Sequence, residues 1–420
     1  MSLEVFLLLL GGLVLLVGGG EFLVRGASRL AELLGLSPLV VGLTVVAYGT
    51  SAPEMAVSIQ AGLAGNGDIA VANVVGSNIF NVLFILGLCA LVAPLIVDRR
   101  LVRIDVPVMI GVSLVAGLMA LNGNFAFWEG LVLALGTVSY TAWSVISSRA
   151  ETAAANAAAS HRVAEPELIA GKHPGWLVAQ LVLAVLGGLG WKLGWFGFTE
   201  GGLALAGGLV FTLGHVFGKG GTTRAGDLVH QIGFILTGLG VLVLGAGWLV
   251  DGAVQTALSL GVSDAVVGLT IVAAGTSLPE VAASVIATLR GQRDLAIGNV
   301  VGSNIANILA ILGVSSLVTP GGLAVADSIL RVDIPVMIGV ALVALPVFYT
   351  GYLIRRWEGA VFLAAYVGYT TWLVFDATGR PASAALGQAL VWVFAPVVLA
   401  TFAVTGVRAL TTRHRDRPVA

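Results

Sequence analysis

Two carboxylates stand in long apolar runs, each at the end of a segment rich in hydroxyls and chain-breaking residues. Glu54 closes Gly49-Thr50-Ser51-Ala52-Pro53-Glu54, and Glu280 closes Gly275-Thr276-Ser277-Leu278-Pro279-Glu280. Downstream, Asn73-Val74-Val75-Gly76-Ser77-Asn78-Ile79 with Asn81 returns as Asn299-Val300-Val301-Gly302-Ser303-Asn304-Ile305 with Asn307. Between residues 38–87 and 264–313, at a fixed offset of 226, 31 of 50 positions are identical. Thr50, Ser51, Thr276 and Ser277 set hydroxyl oxygens beside each glutamate. Ser77 and Asn81 are four apart and share a helix face, as do Ser303 and Asn307. Gly49 and Pro53, like Gly275 and Pro279, interrupt helical hydrogen bonding, so backbone carbonyls such as those of Ala47 and Ala273 can serve as ligands if they line a cavity. The donor set is all oxygen, with neither His nor Cys in either motif. Such a set suits hard cations, Ca²⁺ or Na⁺, and argues against zinc and copper. Two carboxylates neutralise one Ca²⁺, and several Na⁺ could share the same oxygens, so competition for one site gives a physical basis for antiport.

The elements that must hold these residues are membrane spans. The 420 residues are 58% apolar and 10% charged, with 57 glycines, far from the soluble average. Runs of about 20 apolar residues, the length a spanning helix needs, fill nearly the whole chain. The alternation of a β-barrel is missing. The fold expected is an all-α polytopic membrane protein. Spans are expected at 3–24, 38–62, 68–92, 102–122 and 126–148, then 175–191 and 201–217, then 229–250, 264–288, 294–318, 330–350, 355–376 and 386–407. Glu54 and Glu280 then lie about 15 Å from either face. An ionised carboxylate at that depth must meet a cavity, the protein interior or a cation.

The duplication extends beyond the motifs. Arg103-Ile104-Asp105-Val106-Pro107-Val108-Met109 matches Arg331-Val332-Asp333-Ile334-Pro335-Val336-Met337, and Trp128-Glu129-Gly130 matches Trp357-Glu358-Gly359. Each repeat is a five-helix unit, and five is odd. With two spans inserted between them, the second unit is inverted relative to the first. The expected domains are 1–148 (first repeat), 149–227 (cytoplasmic connector and two inserted helices), 228–378 (second repeat) and 379–420 (an extra helix and a basic tail). With the N-terminus outside and the C-terminus inside, eighteen Lys and Arg fall on the cytoplasmic side, and only Lys192, Arg331 and Arg380 fall outside. The N-terminus lacks the basic region of a cleaved signal peptide. Cys89 has no partner cysteine and reads as a small core residue. Asp105 and Asp333 read as interfacial anchors, and Glu129 and Glu358 as the edge of an aromatic belt.

The paired motifs G-T-S-A-P-E with G-S-N-I-F-N, and G-T-S-L-P-E with G-S-N-I-A-N, resemble the α-repeats of the sodium/calcium exchanger family, in the cation/Ca²⁺ exchanger superfamily, and look most like its prokaryotic members. The resemblance covers both five-helix units. It implies a ten-helix core with ions held between the second, third, seventh and eighth helices, and first and sixth helices that slide across the core. It implies exchange of one Ca²⁺ for about three Na⁺, with no cofactor and no enzymatic activity. Glu54 and Glu280 would be the shared carboxylates. Thr50, Ser51, Thr276, Ser277, Ser77, Ser303, Asn81 and Asn307 would supply further oxygens, with the Ala47 and Ala273 carbonyls. Some similar members, including potassium-dependent ones, carry aspartate at the position of Asn307. The amide here leaves two formal charges and implies independence from K⁺.

Two other readings stand beside sodium-driven exchange. Proton-driven Ca²⁺ export is the nearest, since a buried glutamate can carry a proton, although proton-coupled relatives tend to lack this Gly-Thr-Ser. A cation channel is the other, but the polar groups lie in one central layer and not along a continuous path. The three helices outside the ten-helix pattern, 175–191, 201–217 and 386–407, suit packing or dimerisation, and a homo-oligomer is compatible with them. The connector has no EF-hand loop. The partners expected are Ca²⁺, Na⁺ and the bilayer of the cell membrane, with no nucleic acid.

Overall fold

The computed structural model describes residues 2–159, 224–262 and 264–390. The chain folds as α1 (Leu3–Leu34), a bent pair α2 (Pro38–Thr50) and α3 (Ala52–Leu63), α4 (Gly67–Val92), α5 (Leu101–Asn122) and α6 (Phe127–Ala159). After α7 (Arg224–Ser259) come three short pieces, Asp264–Val267, Gly268–Val272 and Ala273–Gly275, together α8. Then follow α9 (Leu278–Leu289), α10 (Arg293–Val318), α11 (Ile329–Tyr349), α12 (Arg356–Ala377) and α13 (Ala382–Ala389). Among the described residues, eight helices are long and apolar enough to cross a membrane, or nine counting α2 with α3 as one span. The molecule is an all-helical, multi-pass membrane protein. The strands among the described residues are four two-residue pieces. The expected spans at 175–191 and 201–217 lie outside the described residues, as does 386–407 beyond residue 390, whose start falls in α13.

Several bounds differ from expectation for local reasons. The fifth helix runs on through the alanine-rich stretch 153–159, into the expected connector, because alanine is the best helix former. The first helix continues past residue 24 to Leu34, ending where Gly35 takes a left-handed conformation at φ 65°. Where one span was expected over 38–62, α2 and α3 meet at 46°. Pro53 has no N–H for the Gly49 carbonyl, and the break falls at Ser51. Turns of π-helix interrupt the spans at Gly42–Val46, Asn81–Leu86, Gly268–Val272 and Asn307–Leu312. Such turns often sit at functional sites, and two of these begin at Asn81 and Asn307.

Glycines set the closest helix contacts. On α1, Gly12 and Gly19 abut Leu249 and Leu242 of α7, and Gly238 and Gly245 of α7 abut Leu23 and Leu16 in return. A methyl group at Gly19 would stand 2.7 Å from the Leu242 nitrogen, and one at Gly238 2.5 Å from the Leu23 nitrogen. As the number rises along α1 the contact number falls along α7, so the two helices run antiparallel. In a bilayer, where apolar burial does not distinguish protein from lipid, such small-residue seams drive association. Two short sheets tie loops together. β1 (Leu95–Ile96) pairs antiparallel with β4 (Leu353–Ile354), and β2 (Asn124–Phe125) with β3 (Leu323–Ala324).

Two charged pairs depart from the sequence reading. Asp105 is fully buried and accepts a bond from the Tyr140 hydroxyl at 3.0 Å, and Asp333 accepts one from Tyr369 at 2.5 Å. These hydrogen bonds hold the fourth span of each half against the fifth, a role the sequence reading did not include. Glu129 accepts from the Ala126 N–H at 2.7 Å and Glu358 from the Arg355 N–H at 2.7 Å. Both glutamates also cap the start of a helix, a hydrogen-bonding role beyond the one read from the neighbouring tryptophans.

Candidate cation site

The α2–α3 and α8–α9 breaks bring the two motifs face to face. Pro53 and Pro279 sit in the first turn of α3 and α9, where a missing N–H costs nothing, and Glu54 and Glu280 follow in that same turn. Each glutamate is reached by the serine of the other half. Ser51 Oγ donates to Glu280 Oε1 at 2.9 Å, and Ser277 Oγ donates to Glu54 Oε1 at 2.7 Å, with Ser77 Oγ 3.3 Å away. Both carboxylates are 1% exposed. Among the described residues every ion pair lies elsewhere, at Glu21, Glu32, Glu151 and Asp327, so no Lys or Arg neutralises Glu54 or Glu280.

The second oxygen of each glutamate carries the argument. Glu54 Oε2, Glu280 Oε2, Asn81 Oδ1, Asn307 Oδ1 and Ser303 Oγ are buried and have no hydrogen-bond partner. A buried acceptor without a donor costs about 1–3 kcal/mol, and more when charged. All five belong to residues singled out from the sequence, and oxygen is the donor a hard cation takes. The other expected ligands are differently placed. Thr50 Oγ is committed to Val46 O at 3.1 Å, Ala47 O at 3.3 Å and Asn299 Oδ1 at 3.2 Å. The Ala47 carbonyl also accepts the Ser51 N–H at 3.0 Å, and the Ala273 carbonyl accepts from Thr276 at 3.5 Å. The carbonyl that Pro53 leaves without its helical donor is that of Gly49, not Ala47.

Asparagines passed over in the sequence reading hold the breaks. Asn73 Nδ2 donates to Ser58 Oγ at 3.0 Å and to the Glu54 carbonyl at 3.1 Å. Asn299 repeats this with Ser284 at 2.9 Å and the Glu280 carbonyl at 3.5 Å. Their recurrence at the 226-residue offset was the available signal.

The two sides of the site are packed differently. On one, α2 presses on α10: methyl groups at Gly42, Gly298 and Gly302 would stand 2.6, 2.5 and 2.5 Å from the carbonyls of Leu295, Leu39 and Leu43. Ala47 and Thr50 are both 0% exposed there. On the other side, the counterparts Ala273 and Thr276 are exposed and partly exposed, and a methyl group at Gly76 would touch nothing within 4 Å. Thr276 is therefore more exposed than Thr50, while the two carboxylates between them stay buried.

Two buried carboxylates at helix breaks in a multi-pass bundle fit a membrane protein that handles cations. Residues 4–146 and 230–375 match the family described as Sodium/calcium exchanger protein, and the chain belongs to that family. It is 33% identical to sodium/calcium exchanger MaX1 of Methanosarcina acetivorans over 375 residues, covering 88% of this chain and 98% of the relative. It is 32% identical to inner membrane protein YrbG of Escherichia coli over 317 residues, 75% of this chain and 80% of the relative. A solved structure of the sodium-calcium exchanger NCX_Mj superposes with a TM-score of 0.62 at 28% identity, covering 87% of this chain and 97% of that one. The chain is a secondary transporter of the cation/Ca²⁺ exchanger family and not an enzyme, as its motifs predict.

Proposed function

We propose that this protein exchanges Ca²⁺ for Na⁺ across the cell membrane, about three Na⁺ for each Ca²⁺, by alternating access and without K⁺. The observation that supports this reading is, among the described residues, the set of five buried oxygens without partners, two of them on carboxylates that no cationic side chain meets. Ca²⁺ would be held by Glu54 and Glu280 with Asn81, Asn307, Ser303 and Ser77 around them. Na⁺ ions would share the same oxygens with Ser51, Ser277, Thr50 and Thr276. The carbonyls of Ala47 and Ala273 are the weakest members of the set, because each already accepts a hydrogen bond.

The architecture proposed is a pair of inverted five-helix repeats, 1–148 and 228–378, separated by the insert 149–227 and followed by 379–420, with the N-terminus outside and the C-terminus inside. Two features support the inversion. The first helices of the two repeats, α1 and α7, run antiparallel. The loop after α4 pairs with the loop after α11, and the loop after α5 with the loop after α10, as inverted units require and parallel units forbid. With that orientation the more exposed side, at Thr276, faces outward. Transport then alternates between closure of α8 on α4 beside Gly76 and release of α2 from α10.

The experiment is ⁴⁵Ca²⁺ uptake into proteoliposomes under imposed gradients. Uptake is expected when Na⁺ is loaded inside, unchanged by adding or removing K⁺. Uptake driven by a proton gradient with Na⁺ absent would establish proton coupling instead, and K⁺-dependent uptake would overturn K⁺ independence.

A further inference from the structure

Asn81 and Asn307 can serve a cation only if their amides present oxygen and not nitrogen. The two ends of an amide have the same shape and opposite polarity, so its neighbours must decide the matter. Those neighbours are Asn78 and Asn304, which belong to the repeated motif but not to the cation set. Asn78 Nδ2 donates to the backbone carbonyl of Asn304 at 3.3 Å and to Met337 Sδ at 3.6 Å. A carbonyl and a thioether accept only, so the nitrogen end of Asn78 is fixed and its oxygen faces Asn307. Asn307 must then donate, and Asn307 Nδ2 lies 3.0 Å from Asn78 Oδ1. Its own Oδ1 is turned away, buried and without a partner. The other half has the same arrangement with a thioether alone as the anchor. Asn304 Nδ2 donates to Met109 Sδ at 3.5 Å, Asn304 Oδ1 accepts from Asn81 Nδ2 at 3.0 Å, and Asn81 Oδ1 is left unpartnered. Both orienting residues are 2% exposed, so water does not compete for their amides.

We propose that Asn78 and Asn304 are positioning residues that fix the polarity of the two amide ligands, each acting across the repeat boundary on the ligand of the other half. Without them an amide is free to turn its NH₂ toward the carboxylates, where the positive end of the dipole satisfies Glu54 or Glu280 and repels the cation. Met109 and Met337 set the lock one step further out. The inference rests on the reading of Asn81 and Asn307 as cation ligands.

The test exploits the symmetry of a carboxylate, which has no wrong end. Asn304→Leu is made in the native chain and in the Asn81→Asp variant, and the Kd for Ca²⁺ is measured by calorimetry on purified protein. In the native chain the Kd is expected to rise about tenfold, the scale for losing an outer partner of a metal ligand. In the Asn81→Asp variant the same substitution is expected to change it by less than about twofold, because orientation no longer matters. Asn78→Leu in the native chain and in the Asn307→Asp variant should repeat the pattern. If Asn304→Leu does not fold, Met109→Leu is the alternative, volume-conserving change. It frees the Asn304 amide and should weaken binding with the same dependence on background. Equal losses in both backgrounds, or none in either, would overturn the inference. Failure of the ligand reading is distinguishable, because Asn81→Ala and Asn307→Ala would then leave the Kd for Ca²⁺ unchanged in a native protein that still binds it.

Discussion

A carboxylate buried without a counter-charge destabilises the fold until something neutralises it, and here there are two in one cluster. Glu54→Gln and Glu280→Gln each remove one formal charge and leave one carboxylate facing a divalent ion. Breaking a buried charge pairing costs about 3–5 kcal/mol, so Ca²⁺ affinity is expected to fall by at least about a hundredfold in either variant. Melting in detergent checks this. Ca²⁺ at a hundred times the native Kd stabilises the native protein by about 2.7 kcal/mol and should stabilise either glutamine variant by no more than about 0.4 kcal/mol at that concentration. Without Ca²⁺ the variants should melt no lower than the native chain, since they bury one charge fewer. The glutamates were legible in the sequence because chemistry and repetition coincided. A carboxylate deep in an apolar run is costly, and the same run occurs twice. The orienting roles of Asn78 and Asn304 were not legible, because their partners are Met109 and Met337, brought in from other spans only by folding.

At the scale of helices, the two halves share a sequence pattern and differ in packing. Thr50 is enclosed by α2 against α10, while its counterpart Thr276 is partly exposed. A cysteine at Thr276 (Thr276→Cys) is expected to react with a membrane-impermeant maleimide added outside, and Thr50→Cys to be protected from it. Cys89, 1% exposed, contributes no background. Protection of Thr276→Cys with labelling of Thr50→Cys would reverse the assigned state or orientation. The glycine seam of α1 and α7 makes a second prediction. Gly19→Leu forces a side chain into the Leu242 backbone and is expected to abolish folded protein, measured by size-exclusion yield, whereas Gly18→Leu, with nothing within 4 Å, should be tolerated. Existence of the spans was readable from their length and apolarity. The 46° bend and the π-helical turns were not, because Gly and Pro say only that hydrogen bonds are lost there, and tertiary packing decides how the chain bends.

Across the whole molecule, α1 runs antiparallel to α7 and the loops pair crosswise, an arrangement that supports the proposed inverted halves. The parity of spans gives the inversion, and the distribution of Arg and Lys the orientation, as expectations from the chain; the unequal exposure of Thr50 and Thr276 was not legible, since near-identical motifs cannot say how each half is packed. An exchange of about three Na⁺ for one Ca²⁺ moves one net charge per cycle, so Na⁺-driven Ca²⁺ uptake should respond to an imposed membrane potential; insensitivity would mean a neutral stoichiometry. The central claim is that Ca²⁺ and Na⁺ occupy one set of oxygens in turn, and equilibrium ⁴⁵Ca²⁺ binding to the purified protein at increasing Na⁺ tests it most directly. The account predicts that Na⁺ raises the apparent Kd for Ca²⁺ while the number of Ca²⁺ sites per chain stays constant. A fall in the number of sites at unchanged Kd, or no effect of Na⁺ at all, would contradict it.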